Sequence, residues 1–155
     1  SRTFAFEQLA TFDEAAWREI RNQPPAAVPP FRFIGTDRDD AAIAMSKSNA
    51  ERAGVSDLTD FRKCVISELT RPDGPPGLVI VNPPYGARIG DKSKLQALYR
   101  AFGETMRREF SGWRVGLVTS EKSLAEATGL PFEPPGPPVN HGGLRIKLYR
   151  TGPLP

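Results

Sequence analysis

Apolar positions in this chain alternate between a helical and a strand-like spacing. Over Asp13–Asn22, Ala16, Trp17 and Ile20 recur at helical spacing behind Asp13, whose carboxylate suits an N-cap. A stiff loop, QPPAAVPP at Gln23–Pro30, follows, and Phe31–Thr36 reads as a strand ending at Asp37. From Asp39 a helix is predicted. Acidic residues fill its first turn, Ala42, Ile43, Met45, Ala50 and Ala53 form its inner side, and Gly54 stops it. Phe61–Ile66 reads as another strand, and RPDGPPG then loops into Leu78–Val81, a short apolar run that predicts a central strand buried on both faces. Ser93–Phe110 is the clearest helix, with Leu95, Leu98, Tyr99, Phe102, Met106 and Phe110 on one stripe. Ser111-Gly112 ends it. A strand at Val115–Thr119, a short helix at Ser123–Thr128 stopped by Gly129, and an extended connector at Pro131–Pro138 come next. Finally Leu144, Ile146 and Leu148 alternate with Arg145, Lys147 and Tyr149, the pattern of a half-buried strand near a sheet edge.

This β-α order, closing with a strand, predicts an α/β fold with an open sheet. The 155 residues (17.0 kDa) suffice for one domain, residues 1–155, with a real core. A single cysteine, Cys64, excludes an internal disulfide and a cysteine-based zinc site; in a strand-like run it reads as a small buried hydrophobe. The single His141 gives no basis for a multi-histidine metal centre or a Ser-His-Asp triad, so no metal is expected. No apolar run reaches membrane-spanning length and no signal peptide opens the chain, so the expectation is a cytoplasmic protein with no membrane partner. Net charge is +3, unevenly spread: residues 1–85 carry −2 and residues 86–155 carry +5. A basic half beginning beyond Tyr85 suits a polyanion, with Arg88, Lys92, Lys94, Arg107 and Arg108 as candidate phosphate contacts. A solvated mixed surface explains the excess nearly as well.

The chemistry concentrates at Asn82-Pro83-Pro84-Tyr85. Consecutive prolines cannot donate to a sheet ladder and each fixes its own φ, so the strand must stop here in a rigid turn. Open α/β sheets bind ligands at the carboxyl ends of their strands. An exocyclic amino group is a poor nucleophile because its lone pair is delocalised into the ring. The Asn82 amide oxygen and the Pro83 carbonyl are placed to accept its two hydrogens, leaving a pyramidal nitrogen, while Tyr85 stacks on the base. A proline-rich turn with Tyr85 as a packing aromatic accounts for the same residues. Asp37, at a strand end before a helix, suits the two hydroxyls of a ribose. As a helix cap it serves equally, although Asp39 is at least as good a cap.

These residues resemble the catalytic domain of the THUMP-associated, UPF0020-type RNA methyltransferases that make N2-methylguanine, and among them the bacterial 23S rRNA enzymes. The resemblance rests on RTFAFEQLATFD (Arg2–Asp13), Gly35–Gly54, NPPYGARIG (Asn82–Gly90) with the following helix, Gly112–Ser120 and Asn140–Arg150. It implies an open Rossmann-like class I methyltransferase sheet, S-adenosylmethionine (SAM) as cofactor, ribosomal RNA as partner, and a THUMP domain upstream in a full-length parent. Asn82, Pro83, Pro84 and Tyr85 would be catalytic; Asp37, Arg38, Val65 and Asn82 would contact the cofactor. Three features depart from the family pattern. The glycine-rich first motif and its strand are absent, so the sheet is expected to be truncated at its N-terminus. Val65 stands where an aspartate normally faces the adenine amino group, and Arg38 where an aliphatic residue is usual. An adenine-N6 DNA methyltransferase, or a non-catalytic fragment that binds RNA or a partner, are the rival readings.

Overall fold

The computed structural model describes residues 3–23, 27–85 and 92–155. Parts of the Gln23–Pro30 loop, Arg2, and Gly86–Gly90 of the NPPYGARIG run with its Arg88 therefore lie outside the described residues. Asp13 caps α1 (Glu14–Asn22), its carboxylate accepting the Ala16 N–H at 3.0 Å. β1 (Phe33–Asp37) leads into α2 (Asp40–Ala53), which Asp39 caps by accepting the Ala41 N–H, and which Gly54 ends in the left-handed conformation. β2 (Thr59–Lys63) pairs with β1 in parallel, Gly35 opposite Phe61 and Asp37 opposite Lys63. A single helical turn at Ile66–Glu68 follows.

The second half is built on β4 (Arg114–Thr119). It pairs in parallel with β3 (Leu78–Val81) and antiparallel with β6 (Leu144–Arg150), and β6 in turn pairs with β5 (Val139–His141). α3 (Lys92–Glu109) and α4 (Lys122–Ala127) cover one face. Tyr99, Met106, Val115 and Leu117 are essentially sealed from solvent there, with Phe102, Leu124 and Tyr149 around them. Burying such side chains is worth about 1.5–3 kcal/mol each, so this layer carries most of the stabilisation.

Among the described residues the strands thus form two sheets, β1-β2 and β3-β4-β6-β5, rather than one. They are tied through the loop after β2: Ile66 and Leu69 pack against the Phe102–Met106 cluster, and the Arg108 guanidinium donates to the Ser67 carbonyl at 3.0 Å.

Several expectations are corrected. Among the described residues Leu78–Val81 is an edge strand rather than a central one, with Leu78 50% and Ile80 69% exposed, because only β4 among the described strands pairs with β3. Phe61–Ile66 is too late for the second strand; pairing with β1 fixes it at Thr59–Lys63. Cys64 therefore falls beyond the strand and is half-buried, not buried. On α2, Ile43 and Ala50 face inward, two turns apart, whereas Met45 sits on the far side of the helix and is exposed along with Ala53. In β6 the buried face is the opposite of the alternation read from Leu144, Ile146 and Leu148. Tyr149 is buried, because it stands opposite Leu117 on the face that α3 and α4 cover, while Leu144 and Leu148 lie on the uncovered face. The missed strand, β5, forms a hairpin with β6 through Gly142-Gly143, both at positive φ.

Candidate functional site

β3 ends as expected at the two prolines, and the turn Asn82–Tyr85 emerges from its carboxyl end. Asn82 and Pro84 are exposed, Pro83 and Tyr85 half-buried. The turn is anchored from the helix that follows: the Tyr99 hydroxyl, on α3, donates to the Pro84 carbonyl at 3.3 Å. Burial pushes the Tyr99 hydroxyl above its ordinary pKa, partly offset by a hydrogen bond with Thr119, so it stays protonated as a donor. Tyr85 packs against the cluster of Leu95, Tyr99, Leu117, Leu124, Ala125 and Tyr149. Its ring is thus supported on one side by the core.

Sequence reasoning missed the neighbouring strand's contribution. Because β3 and β4 are parallel and Val81 is opposite Leu117, the end of β4 lies beside the turn. There the Thr119 hydroxyl accepts the Glu121 N–H, and a cavity of about 190 Å³ is lined by Lys92, Leu95, Gln96, Glu121, Ser123 and Leu124. The available signal was the apolar run of β4 next to a second apolar run, which implies adjacent parallel strands with adjacent carboxyl ends.

The other proposed contacts sit at the carboxyl ends of the other sheet. Asp37 closes β1 and is exposed; its Oδ1 accepts the Asp39 N–H at 2.9 Å, and its carbonyl accepts the Cys64 N–H at 2.9 Å. One Asp37 oxygen thus organises the entry to α2, whose cap is Asp39, and Oδ2 takes no hydrogen bond from a described residue. Arg38 is exposed, and Val65, 39% exposed, flanks the Asp37 backbone one residue beyond Cys64. The structure thus brings Asp37, Arg38 and Val65 to one strand-end cluster, and Asn82–Tyr85 with Thr119–Glu121 to another. No hydrogen bond between described residues joins the two.

As a test of fit, the Asp37 cluster offers an exposed carboxylate oxygen for a ribose and an apolar side chain, Val65, for an adenine face. For a methionine end, the described residues provide no glycine-rich backbone turn beside Asp37. The residues fit the nucleoside part of SAM. Among the described residues no cluster of His, Cys, Asp and Glu could hold a metal ion.

An open α/β architecture with its exposed polar groups at the ends of parallel strands is that of the class I SAM-dependent methyltransferases. A family model for the "RMKL-like, methyltransferase domain" (UPF0020) matches residues 2–131, and the chain belongs to that family. A ribosomal RNA large subunit methyltransferase K/L from Chromohalobacter salexigens is 41% identical over 138 residues, 84% of this chain and 19% of that protein. The protein of the same name from Legionella pneumophila (strain Lens) is 37% identical over 147 residues, 94% of this chain and 20% of that protein. The chain spans about a fifth of the length of these relatives. Of solved structures, SMU.472, described as a methyltransferase in complex with SAH, superposes with a TM-score of 0.81 at 25% identity, over 99% of this chain and 41% of that one.

Proposed function

We propose that this chain is part of a SAM-dependent RNA methyltransferase that methylates N2 of a guanine in large-subunit ribosomal RNA. The carrying observation is the Asn82–Tyr85 turn, held at a strand's carboxyl end by Tyr99 with Tyr85 backed by the core. In this reading the Asn82 amide oxygen and the Pro83 carbonyl accept the hydrogens of the guanine amino group, and Tyr85 stacks on the base. Asp37 takes the ribose hydroxyls of the cofactor, with Arg38 and Val65 beside the adenine. SAM supplies an electrophilic methyl group when bound. The protein's part is positioning and exclusion of water. RNA is preferred over DNA as the substrate because the K/L relatives are named for ribosomal RNA. The basic C-terminal half suits contacts to its phosphates. The protein acts in the cytoplasm, where ribosomal RNA is processed; no described helix is long and apolar enough to cross a membrane.

Isothermal titration with SAM tests the cofactor half. Losing charge-assisted hydrogen bonds to two hydroxyls costs roughly 1.5–3 kcal/mol, so Asp37→Ala should weaken binding about 10- to 150-fold. Equal affinity of the variant and the wild type would remove Asp37 from the site, and the absence of binding to either would favour a non-catalytic fold.

A further inference from the structure

We propose that the β5–β6 hairpin is an arm that grips the phosphates of the RNA strand carrying the target nucleotide, with Arg145 and Lys147 as its contacts. The inference rests on RNA being the substrate, and it names the element that holds that RNA.

Strand register places the hairpin. β4 ends at Thr119, which pairs with Lys147, and β6 runs antiparallel to it. Leu144–Ile146 therefore lie beyond the carboxyl end of β4, where their partners are Val139–His141. At about 3.4 Å per residue, Leu144 stands roughly 10 Å past the level of Thr119. The Asn82–Tyr85 turn emerges from the same edge, since β3 is parallel to β4 and Val81 is opposite Leu117. β6 is two strands across from β3, roughly 10 Å at the usual strand spacing. The hairpin thus rises beside the turn, with only β4 between them.

Alternation then sorts its side chains. Tyr149 faces the helical layer, so Lys147 and Arg145 share that face, and Asn140 joins them as the cross-strand partner of Arg145. Val139, Leu144 and Ile146 take the opposite face. Where β6 runs beside β4 the helical face is buried at Tyr149; past Thr119 it turns cationic, with Lys147 half-buried and Arg145 and Asn140 exposed. Cations on a sheet edge commonly serve to deter edge-to-edge pairing. That use does not account for these two. Among the described strands the edge position belongs to β5, whose three residues include no lysine or arginine, and β6 lies inside it.

Charge supplies the partner. Residues 134–155 contain Arg145, Lys147 and Arg150 and no aspartate or glutamate. Among the described residues neither Arg145 nor Lys147 enters an ion pair. Arg107 and Arg108, the other candidate phosphate contacts on α3, are engaged elsewhere. They fall in its last turn, roughly 22 Å from Lys92 at its start, and donate to the Thr128 and Ser67 carbonyls. Arginine, lysine and asparagine are among the side chains that bind phosphate and sugar oxygens, and such contacts fix the register of a strand without reading its bases. A cationic arm beside the turn would hold the strand while Asn82–Tyr85 takes one nucleotide from it.

Fluorescence anisotropy of a labelled, mixed-sequence single-stranded RNA, titrated with this chain between about 50 and 200 mM salt, tests the arm. Each phosphate contact to a single strand contributes about 0.7 to the slope of log K against log salt. Arg145→Ala with Lys147→Ala should therefore flatten the slope by about 1.4 and weaken binding about 25-fold at 0.1 M salt. Exchanging the two, Arg145→Lys with Lys147→Arg, keeps both charges and should keep the wild-type slope. Lys47→Ala with Arg62→Ala removes two exposed cations from α2 and β2 and should leave the slope unchanged. The proposal is overturned by a wild-type slope in the alanine pair, by equal flattening in the α2–β2 pair, or by a flattened slope in the exchanged pair. It is also overturned if the wild-type chain binds no RNA. The assay contains no SAM and reads no methylation, so its failure is distinct from failure of the N2-guanine reading, which cofactor titration and methyl transfer decide.

Discussion

The Tyr99 hydroxyl reaches from the middle of α3 to the Pro84 carbonyl, 3.3 Å away, and ties the turn after β3 to the helix that follows it. Tyr99 is also one of the most completely buried side chains in the molecule. Tyr99→Phe keeps the packing and deletes the tie. It should cost about 0.5–1.5 kcal/mol of stability, seen as a lower urea midpoint at unchanged m-value. An unchanged midpoint would mean that the bond does not hold the turn.

The same side chain makes the fold sensitive to alkali. Burial raises the pKa of Tyr99, and to a lesser depth of Tyr149, above the ordinary tyrosine value of 10.0. A raised pKa means the folded state holds its proton where the unfolded chain has lost it. The stabilisation is complete below pH 10 and drains away as pH rises through the folded value. Thermal unfolding followed from pH 9 to 11 should show a falling Tm, and Tyr99→Phe should flatten that fall.

At Gly103, α3 packs tightly against Thr128 at the end of α4. A Cβ there would lie 1.8 Å from the Thr128 carbonyl oxygen, which also accepts the Arg107 guanidinium at 2.7 Å. Backbone cannot yield as a flexible side chain does, so Gly103→Ala should destabilise by at least the 1–3 kcal/mol typical of overpacking. A neutral result in chemical denaturation would contradict the helix packing described.

Thr151 closes a different gap: its hydroxyl accepts the Val115 N–H at 3.0 Å inside the core, and its own N–H donates to the Val115 carbonyl. Thr151→Val keeps the shape but leaves a buried donor without an acceptor. A loss of about 1–3 kcal/mol is expected in urea denaturation, and an unchanged midpoint would mean that the Val115 N–H does not depend on the Thr151 hydroxyl.

For the turn, Asn82→Ala should depress methyl transfer with little change in SAM affinity. A positioned polar group in a water-poor site is worth about 2.7–4 kcal/mol, or roughly 10²–10³ in rate, by analogy with oxyanion holes. Single-turnover methylation of ribosomal RNA, by a longer protein carrying this sequence, is the measurement. Transfer at the wild-type rate would defeat the role given to Asn82.

Local chemistry was legible in the sequence wherever neighbours along the chain decide the outcome. The caps Asp13 and Asp39, the stop at Gly54 and the stripe of α3 all stand where periodicity and capping placed them. What failed depended on partners distant in sequence. The exposure of Ile80 and the burial of Tyr149 follow from which strand lies alongside and which face the helices cover, neither of which alternation encodes. The candidate site divides in the same way. The turn and the strand-end acid were legible as motifs. The Tyr99 anchor and the cavity at Glu121 arise from a helix and a strand brought in by tertiary packing.

The division of the site between two sheets has a thermodynamic consequence. A cofactor held at Asp37 that also reaches the turn at Asn82 would span two sheets that no pairing between described strands joins, so in this reading the cofactor is a structural tie as much as a reagent. Any ligand that binds only the assembled form stabilises it in proportion to its occupancy, about 2.7 kcal/mol at a hundred times its Kd. Part of the melting temperature of such a protein is then set by the concentration of SAM around it.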